Sequence, residues 1–280
     1  MCCVNKCILL RIYELYARYI HIQFFTSLCT KNLIILRTHN ISNMIKLIVI
    51  LLVICMIMYN YKNCNYEDFK TTPPDAVTRL YKMLHIVNML FEKNNIPYWM
   101  DGGTVLGAVR HNGIIPWDDD ADIQVMKKYY QNILDMESEF NSHNLILMKT
   151  WFGFKVFFKD GKNIDGYEWK YPFVDIFIME EKNGIIQYES STARANWSNC
   201  YYEADDINNL QDYNFGNFYL KGVNERATKQ YLDRCYGDDW QTHAYEQYDH
   251  ENERPIEQIK VELTQEDREP ARPFYSVEPH

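Results

Sequence analysis

Residues 98–123 read YWMDGGTVLGAVRHNGIIPWDDDADI, and this stretch decides how the chain is built. A short apolar run, Tyr98 to Met100, predicts a strand that ends at Gly102 and Gly103. Paired glycines let the backbone turn tightly and approach a ligand, and the helix predicted next, over Thr104 to Arg110, aims free N–H groups at an anion such as phosphate. Asp118, Asp119, Asp120 and Asp122 follow within five residues. The chain then returns to a β-prone run with Ile123 and Val125, so Asp120 and Asp122 are expected on one side of a strand. Two carboxylates on one strand face make a site for a hard divalent cation, most simply Mg²⁺. Acidic runs more often mark solvated loops. Here Ile114, Ile115, Pro116 and Trp117 precede the acids and Ile123 and Val125 follow, which puts the carboxylates at a core edge.

The rest of the chain supplies that core. The 280 residues are 47% hydrophobic and 15% aromatic, enough for one substantial domain or two small ones. The formal net charge of -9 speaks against non-specific nucleic-acid binding and leaves a small ligand or a glycan as the expected partner. Helical spacing of Val77, Leu80, Tyr81, Leu84, Val87, Leu90 and Phe91 predicts a helix from Asp75, stopped by Asn94, Asn95 and Pro97. Further on we expect a strand over Asp120 to Met126, a helix over Lys127 to Phe140, and strands at Leu145 to Lys149, Phe154 to Lys159 and Phe173 to Met179. A helix over Asn224 to Tyr236 follows. The class is mixed α/β (α+β), a small mixed sheet flanked by helices.

The N-terminal part differs in kind. Leu47 to Met58 is an unbroken apolar run with no polar face, and Met44 to Tyr59 extends it with Lys46 snorkelling to the interface. It falls short of the ~20 residues of a spanning helix, yet it reads as a membrane anchor, with a cleaved signal sequence or a core helix as alternatives. Tyr59-Asn60-Tyr61-Lys62 lacks the small residues of a cleavage site. Lys6, Arg11, Arg18, Lys31, Arg37 and Lys46 precede the run against Glu14 alone, and Glu67 and Asp68 follow it. The positive-inside rule then gives a single-pass type II protein with its domain in the lumen of the ER or Golgi. Met44 also reads as an alternative start. The domain plan is therefore a cytosolic segment 1–43, an anchor 44–59, a stem 60–74, a catalytic domain 75–245 and a charged tail 246–280.

Of eight cysteines, Cys64, Cys200 and Cys235 lie beyond the anchor. No C-x-x-C pair suggests zinc; Cys200 and Cys235 are either a disulfide in an oxidising compartment or free thiols. Asn196-Trp197-Ser198 is an N-glycosylation sequon. Asp175, alone in the apolar run Phe173 to Ile178, needs a partner or a cation to be buried and is the natural third carboxylate beside Asp120 and Asp122.

The order Gly102-Gly103-Thr104, Arg110-His111, Pro116-Trp117 and Asp118 to Asp122, with the later Val174-Asp175-Ile176-Phe177 and Tyr236-Gly237-Asp238-Asp239-Trp240, resembles the signature of the LicD family, which includes the fukutin and fukutin-related proteins. The resemblance implies a nucleotidyltransferase-like fold and transfer of a phosphorylated alcohol, such as phosphocholine or ribitol phosphate, from a CDP-activated donor to a glycan hydroxyl. It implies Asp120, Asp122 and Asp175 as catalytic metal ligands for Mg²⁺ or Mn²⁺, with Asp118 a fourth. Gly102, Gly103 and Thr104 would frame the donor phosphates and Arg110 and His111 would touch the donor, surface or structural pairing being the alternative for the last two. Lys155, Lys159 and Lys221 are weaker phosphate contacts. Nothing in the sequence matches the zinc-binding cysteine cluster of some relatives. Transfer of the nucleotidyl group itself, and a catalytically silent glycan- or nucleotide-binding protein, are the competing functions.

Overall fold

In the computed structural model, residues 45–46, 48–56 and 70–275 are described. The chain divides into two compact units, Met1–Tyr66 and Glu67–His280. In the first, residues 45–46 and 48–56 are helical and exposed throughout. Among the described residues no helix is long and apolar enough to cross a membrane. The rest of the expected anchor, and the stem to residue 69, lie outside the described residues.

The described part of the second unit begins at residue 70, and 70–73 are tied to the domain: the Thr72 N–H donates to the Pro116 carbonyl at 2.8 Å and its hydroxyl to the Asp118 carbonyl at 2.8 Å. Pro74 opens helix α1 (Pro74–Lys93), where a missing N–H costs nothing. Strand β1 (Tyr98–Met100), helix α2 (Gly102–His111) and strand β2 (Ala121–Met126) follow, then β3 (Leu145–Lys149), β4 (Gly153–Asn163) and β5 (Lys170–Lys182). The strand order is β1-β2-β5-β4-β3, with β2 and β5 parallel and the other pairs of this path antiparallel. This is the mixed sheet with flanking helices that the sequence predicts.

The pleat sorts the sheet's two faces. Ile123, Val125, Phe154, Val156, Val174 and Ile176 are fully buried on one face and form one cluster with the inner stripe of α1. Their neighbours in sequence therefore line the other face, where the register sets Asp122 beside Asp175 and Asp175 beside Lys155.

Two expectations change, and a stretch without predicted elements acquires several. The helix expected over Lys127 to Phe140 is a 3₁₀ turn and two short helices, α3 (Tyr130–Asp135) and α4 (Glu137–Ser142), broken at Met136, where ψ is 7°. Ile133, Met136 and Phe140 all stay buried across the break. The polar stretch past Gly184 holds β6 (Ile185–Tyr188), helix α5 (Ser191–Asn196), β7 (Tyr202–Glu203) and the hairpin β8 (Gln211–Phe215) with β9 (Phe218–Gly222), before α6 (Glu225–Tyr236). The boundary at 245 cuts through a second hairpin, β10 (His243–Asp249) with β11 (Arg254–Glu262), so the charged segment is folded to residue 262 at least. Its backbone hydrogen bonds and its acid and base side chains, and not an apolar run, hold it. Cys200 and Cys235 form a disulfide with Cα atoms 5.3 Å apart.

Candidate metal centre

The Asp101 N–H donates to the Asp122 carbonyl at 3.0 Å, which ties the end of β1 to the start of β2. Asp101 is buried, precedes α2 as its N-cap, and accepts hydrogen bonds from the Tyr188 hydroxyl at 2.8 Å and from the Tyr231 hydroxyl. Burial pushes its carboxyl up from the usual range and these hydroxyls oppose the shift.

The glycines come next, and the chain's own carboxylates explain them. Gly102 has φ +49°, and a Cβ there would lie 2.7 Å from Asp122 Oδ2. A Cβ on Gly103 would lie 2.3 Å from Asp118 Oδ2. The first turn of α2 is thus bare so that two carboxylates can stand against it, where the positive end of the helix favours negative charge. Thr104 adds to this: its buried hydroxyl accepts the Asp122 N–H at 2.7 Å.

One oxygen from each of Asp120, Asp122 and Asp175 lies within 4.8 Å of the others, a set that could hold a metal ion. Asp118 stands outside it, over Gly103. Burial, then the neighbouring carboxylates, holds Asp122 well above the usual range, and burial with Asp120 does the same to Asp118. Among the described residues neither makes an ion pair with a basic side chain.

Asp175 and Asp120 do have cationic neighbours. The buried Lys155 sets its Nζ 2.7 Å from Asp175 Oδ1 and 3.1 Å from the centre of the Phe173 ring. Burial raises Asp175 to about 6 even though Lys155 opposes it. His250, from the turn after β10, places Nδ1 2.7 Å from Asp119 Oδ1 and Nε2 3.4 Å from Asp120 Oδ2. Burial lowers the imidazole, but Asp120 and Asp119 outweigh it and hold His250 at about 10, a cation at neutral pH. Asp119, Asp120 and His250 form a second group with converging ligand atoms.

Arg110 and His111 are engaged in other contacts, although Arg110 remains in the field of Asp118. Arg110 donates to the backbone carbonyls of Trp240 at 2.6 Å and His243 at 3.0 Å, fastening the segment that leads into β10. His111 is buried, edge-on to Trp117 at 5.7 Å, and burial drives it down to about 3. Both make the structural pairings that were the alternative to donor contact. Lys159 donates to the Asn141 carbonyl and Lys221 to Asp212, while Lys155 alone of the three lysines enters the acid row. Sequence reasoning named Asp119 in the acid run without giving it a role, and missed Asp101, Tyr188, Tyr231 and His250. Asp101 was legible as the N-cap before a glycine-started helix; His250 had no signal, since only the hairpin brings it back across the sheet.

Carboxylates with few basic partners thus gather at the start of a helix on a mixed sheet, in a set that could hold a metal ion. Residues 95–222 match the family described as LicD/FKTN/FKRP, nucleotidyltransferase domain. The match takes in just under half of the chain, including the glycine pair, the acid run and Asp175 that carry the resemblance. An uncharacterized protein of Rickettsia prowazekii is 29% identical over 71% of this chain and 71% of its own length. The lipopolysaccharide cholinephosphotransferase LicD of Haemophilus influenzae is 43% identical over 19% of this chain and 20% of its own. The human ribitol 5-phosphate transferase FKRP is 40% identical over 21% and 12% respectively. The two relatives named for an activity are transferases of phosphorylated alcohols, and each is matched over a small part of its length.

Proposed function

We propose that this domain transfers a phosphorylated alcohol from a CDP-activated donor to a glycan hydroxyl, with Mg²⁺ or Mn²⁺ held by Asp120, Asp122 and Asp175. The observation that carries the reading is the convergence of those three carboxylates at the bare first turn of α2. The donor set fits a hard divalent ion: it is all oxygen, and Asp122 sits among acids with no basic partner.

In the reaction, the acceptor hydroxyl oxygen attacks the phosphorus that bears the alcohol. The new P–O bond forms as the bond to the CMP oxygen breaks, CMP leaves with that electron pair, and the hydroxyl proton passes to a base. Asp175 is the candidate base, its carboxylate held in place by Lys155. A divalent ion in this site would neutralise charge on the transferring phosphoryl group and steady its oxygens. Gly102 and Gly103 leave room for the Asp122 and Asp118 carboxylates at the helix start, and the donor phosphates would lie beyond those carboxylates. Arg110, through the Trp240 and His243 carbonyls, positions the β10 segment instead of touching the donor.

The test is CMP release from a panel of CDP-alcohols by the full chain, with and without Mg²⁺ or Mn²⁺, beside Asp122→Asn. Metal-dependent release that the substitution removes supports the reading. Release of pyrophosphate from a nucleoside triphosphate would replace it with nucleotidyl transfer, and metal binding without turnover of any donor would favour a binding protein. For localisation we infer that 44–59 anchors the chain with the domain on the lumenal side; protease protection of the domain in sealed microsomes tests it, and digestion without detergent would refute it.

A further inference from the structure

The acid-bearing face of β5 continues past Asp175 into a row of aromatic rings. The pleat sets Phe177 on the same face, two residues and about 7 Å further along the strand. Phe177 packs against Phe152 at 4.6 Å and edge-on to Tyr188 at 5.3 Å and Trp197 at 5.5 Å, and Phe152 meets Trp151 at 5.2 Å. The row touches the acid centre at two points. The Tyr188 hydroxyl donates to Asp101 Oδ2, and Lys155 Nζ, paired with Asp175, lies 5.9 Å from the centre of the Phe152 ring. Its inner rings are buried, whereas Trp197 is 39% and Trp151 56% exposed.

Trp197 is held from both sides. It follows α5, where its N–H donates to the Ala193 carbonyl at 2.9 Å and its carbonyl accepts from the Cys200 N–H at 3.1 Å. Cys200 is cross-linked to Cys235 of α6, the helix whose Tyr231 reaches Asp101. Arg194 donates to the Tyr188 and Glu189 carbonyls, each at 2.6 Å, and pairs with Glu180, so the one charge of the segment 190–199 turns inward. The polar residues that this segment leaves exposed are Ser191, Thr192, Asn196, Ser198 and Asn199, hydroxyls and amides without charge. An anionic lipid surface asks for basic side chains around such an indole, and a protein partner for further apolar ones. Hydroxyls and amides around an aromatic ring match a sugar.

We propose that Trp197 and Trp151 form a platform on which a pyranose ring of the acceptor lies by its C–H face, and that Trp197 determines which acceptors are taken. The C–H groups on one face of such a ring are slightly positive and are drawn to the negative face of an indole, whereas an acyclic polyol presents no such face. A sugar seated there extends its hydroxyls along β5 toward Asp175, the base of the proposed reaction. The inference rests on that transfer reading and adds to it the residue that selects the acceptor.

The experiment measures binding of the full chain, without donor or added metal, to an immobilised array of pyranose oligosaccharides and acyclic polyols, followed by calorimetric titration of the strongest binder. Both are repeated for Trp197→Ala and Trp197→Phe, with urea unfolding to check that each variant is folded. Expected are binding to pyranose saccharides alone, a Kd weakened about tenfold or more in Trp197→Ala, and a Kd within about threefold of the wild type in Trp197→Phe, which keeps a ring. Binding to no pyranose saccharide, equal binding to acyclic polyols, an unchanged Kd in Trp197→Ala, or a loss as large in Trp197→Phe as in Trp197→Ala would each overturn the proposal. Saccharide binding needs neither metal nor donor, so its failure is distinct from failure of the transfer reaction, which shows as lack of CMP release from every donor.

Discussion

Replacing Gly103 by alanine separates stability from function in a way that tests the whole account of the site. Gly103 lies in the first turn of α2 at an ordinary helical φ, so alanine alone should favour the helix by about 1 kcal/mol. The added Cβ, however, lies 2.3 Å from Asp118 Oδ2, and ordinary contact begins at 3.4 Å, so that oxygen must retreat by about 1 Å. The Asp118 carboxylate is the free end of a side chain and can swing away, which keeps the fold. An error of this size in an arrayed set of charges costs on the order of 10²-fold in rate. The expected result is therefore an unfolding free energy within about 1 kcal/mol of the wild type and a loss of roughly 10²-fold in metal-dependent CMP release. Urea unfolding and a donor-turnover assay read the two quantities on one preparation. Wild-type turnover in Gly103→Ala would refute the argument that the bare helix turn exists for the carboxylates. Gly102→Ala is the contrasting variant: at φ +49° a Cβ costs about 1–2 kcal/mol in backbone strain before it meets Asp122.

Three further outcomes follow from the burial of charge and from the cross-link. Lys155→Met leaves Asp175 buried without its cation and should cost about 3 kcal/mol in urea unfolding, most of it recovered in the double variant with Asp175→Asn. His111 is held at about 3, below its unfolded value of 6.5, so its contribution is fully present above pH 6.5 and is lost as pH falls. That loss amounts to about 1 kcal/mol between pH 7 and 5.5, and His111→Gln should flatten the slope of stability over that interval. The Cys200–Cys235 bond spans 35 residues, and opening it with reductant should lower stability by about 2–4 kcal/mol, a shift absent from the double serine variant.

How much of this was legible in the sequence depends on the range over which each interaction acts. The α1 stripe and the strands through Ile123 and Val174 were readable because burial repeats locally with the period of the element. The meeting of Asp122 with Asp175 was readable as an expectation from one acid set in an apolar run, and the β2–β5 register realises it. The break at Met136 was not, since Ile133, Met136 and Phe140 keep helical spacing on both sides of it. The β10–β11 hairpin was invisible for a different reason. His243 to Glu262 is mostly half-exposed and polar, so its strands bury no continuous face, and hydrogen bonding to a partner strand leaves no mark on composition. Because His250 rides on that hairpin, the basic partner of Asp119 and Asp120 was lost with it.

That missing base changes the charge balance and, with it, the expected order in metal. With Asp118, Asp119, Asp120, Asp122 and Asp175 ionised, Lys155 and the cationic His250 leave a formal charge of −3 around the centre. One divalent ion reduces this to −1, which still repels a diphosphate. A donor that brings a second divalent ion on its own phosphates removes the repulsion, and clamping of a transferring phosphoryl group between two ions is a recurrent solution. Initial rates at fixed CDP-alcohol should therefore rise with a Mg²⁺ order above one. Removing the hairpin cation by His250→Gln makes the centre more negative, so it should tighten the site for metal in calorimetric titration. A first-order Mg²⁺ dependence together with unchanged or weaker metal affinity in His250→Gln would show that the hairpin histidine does not share the charge of this centre.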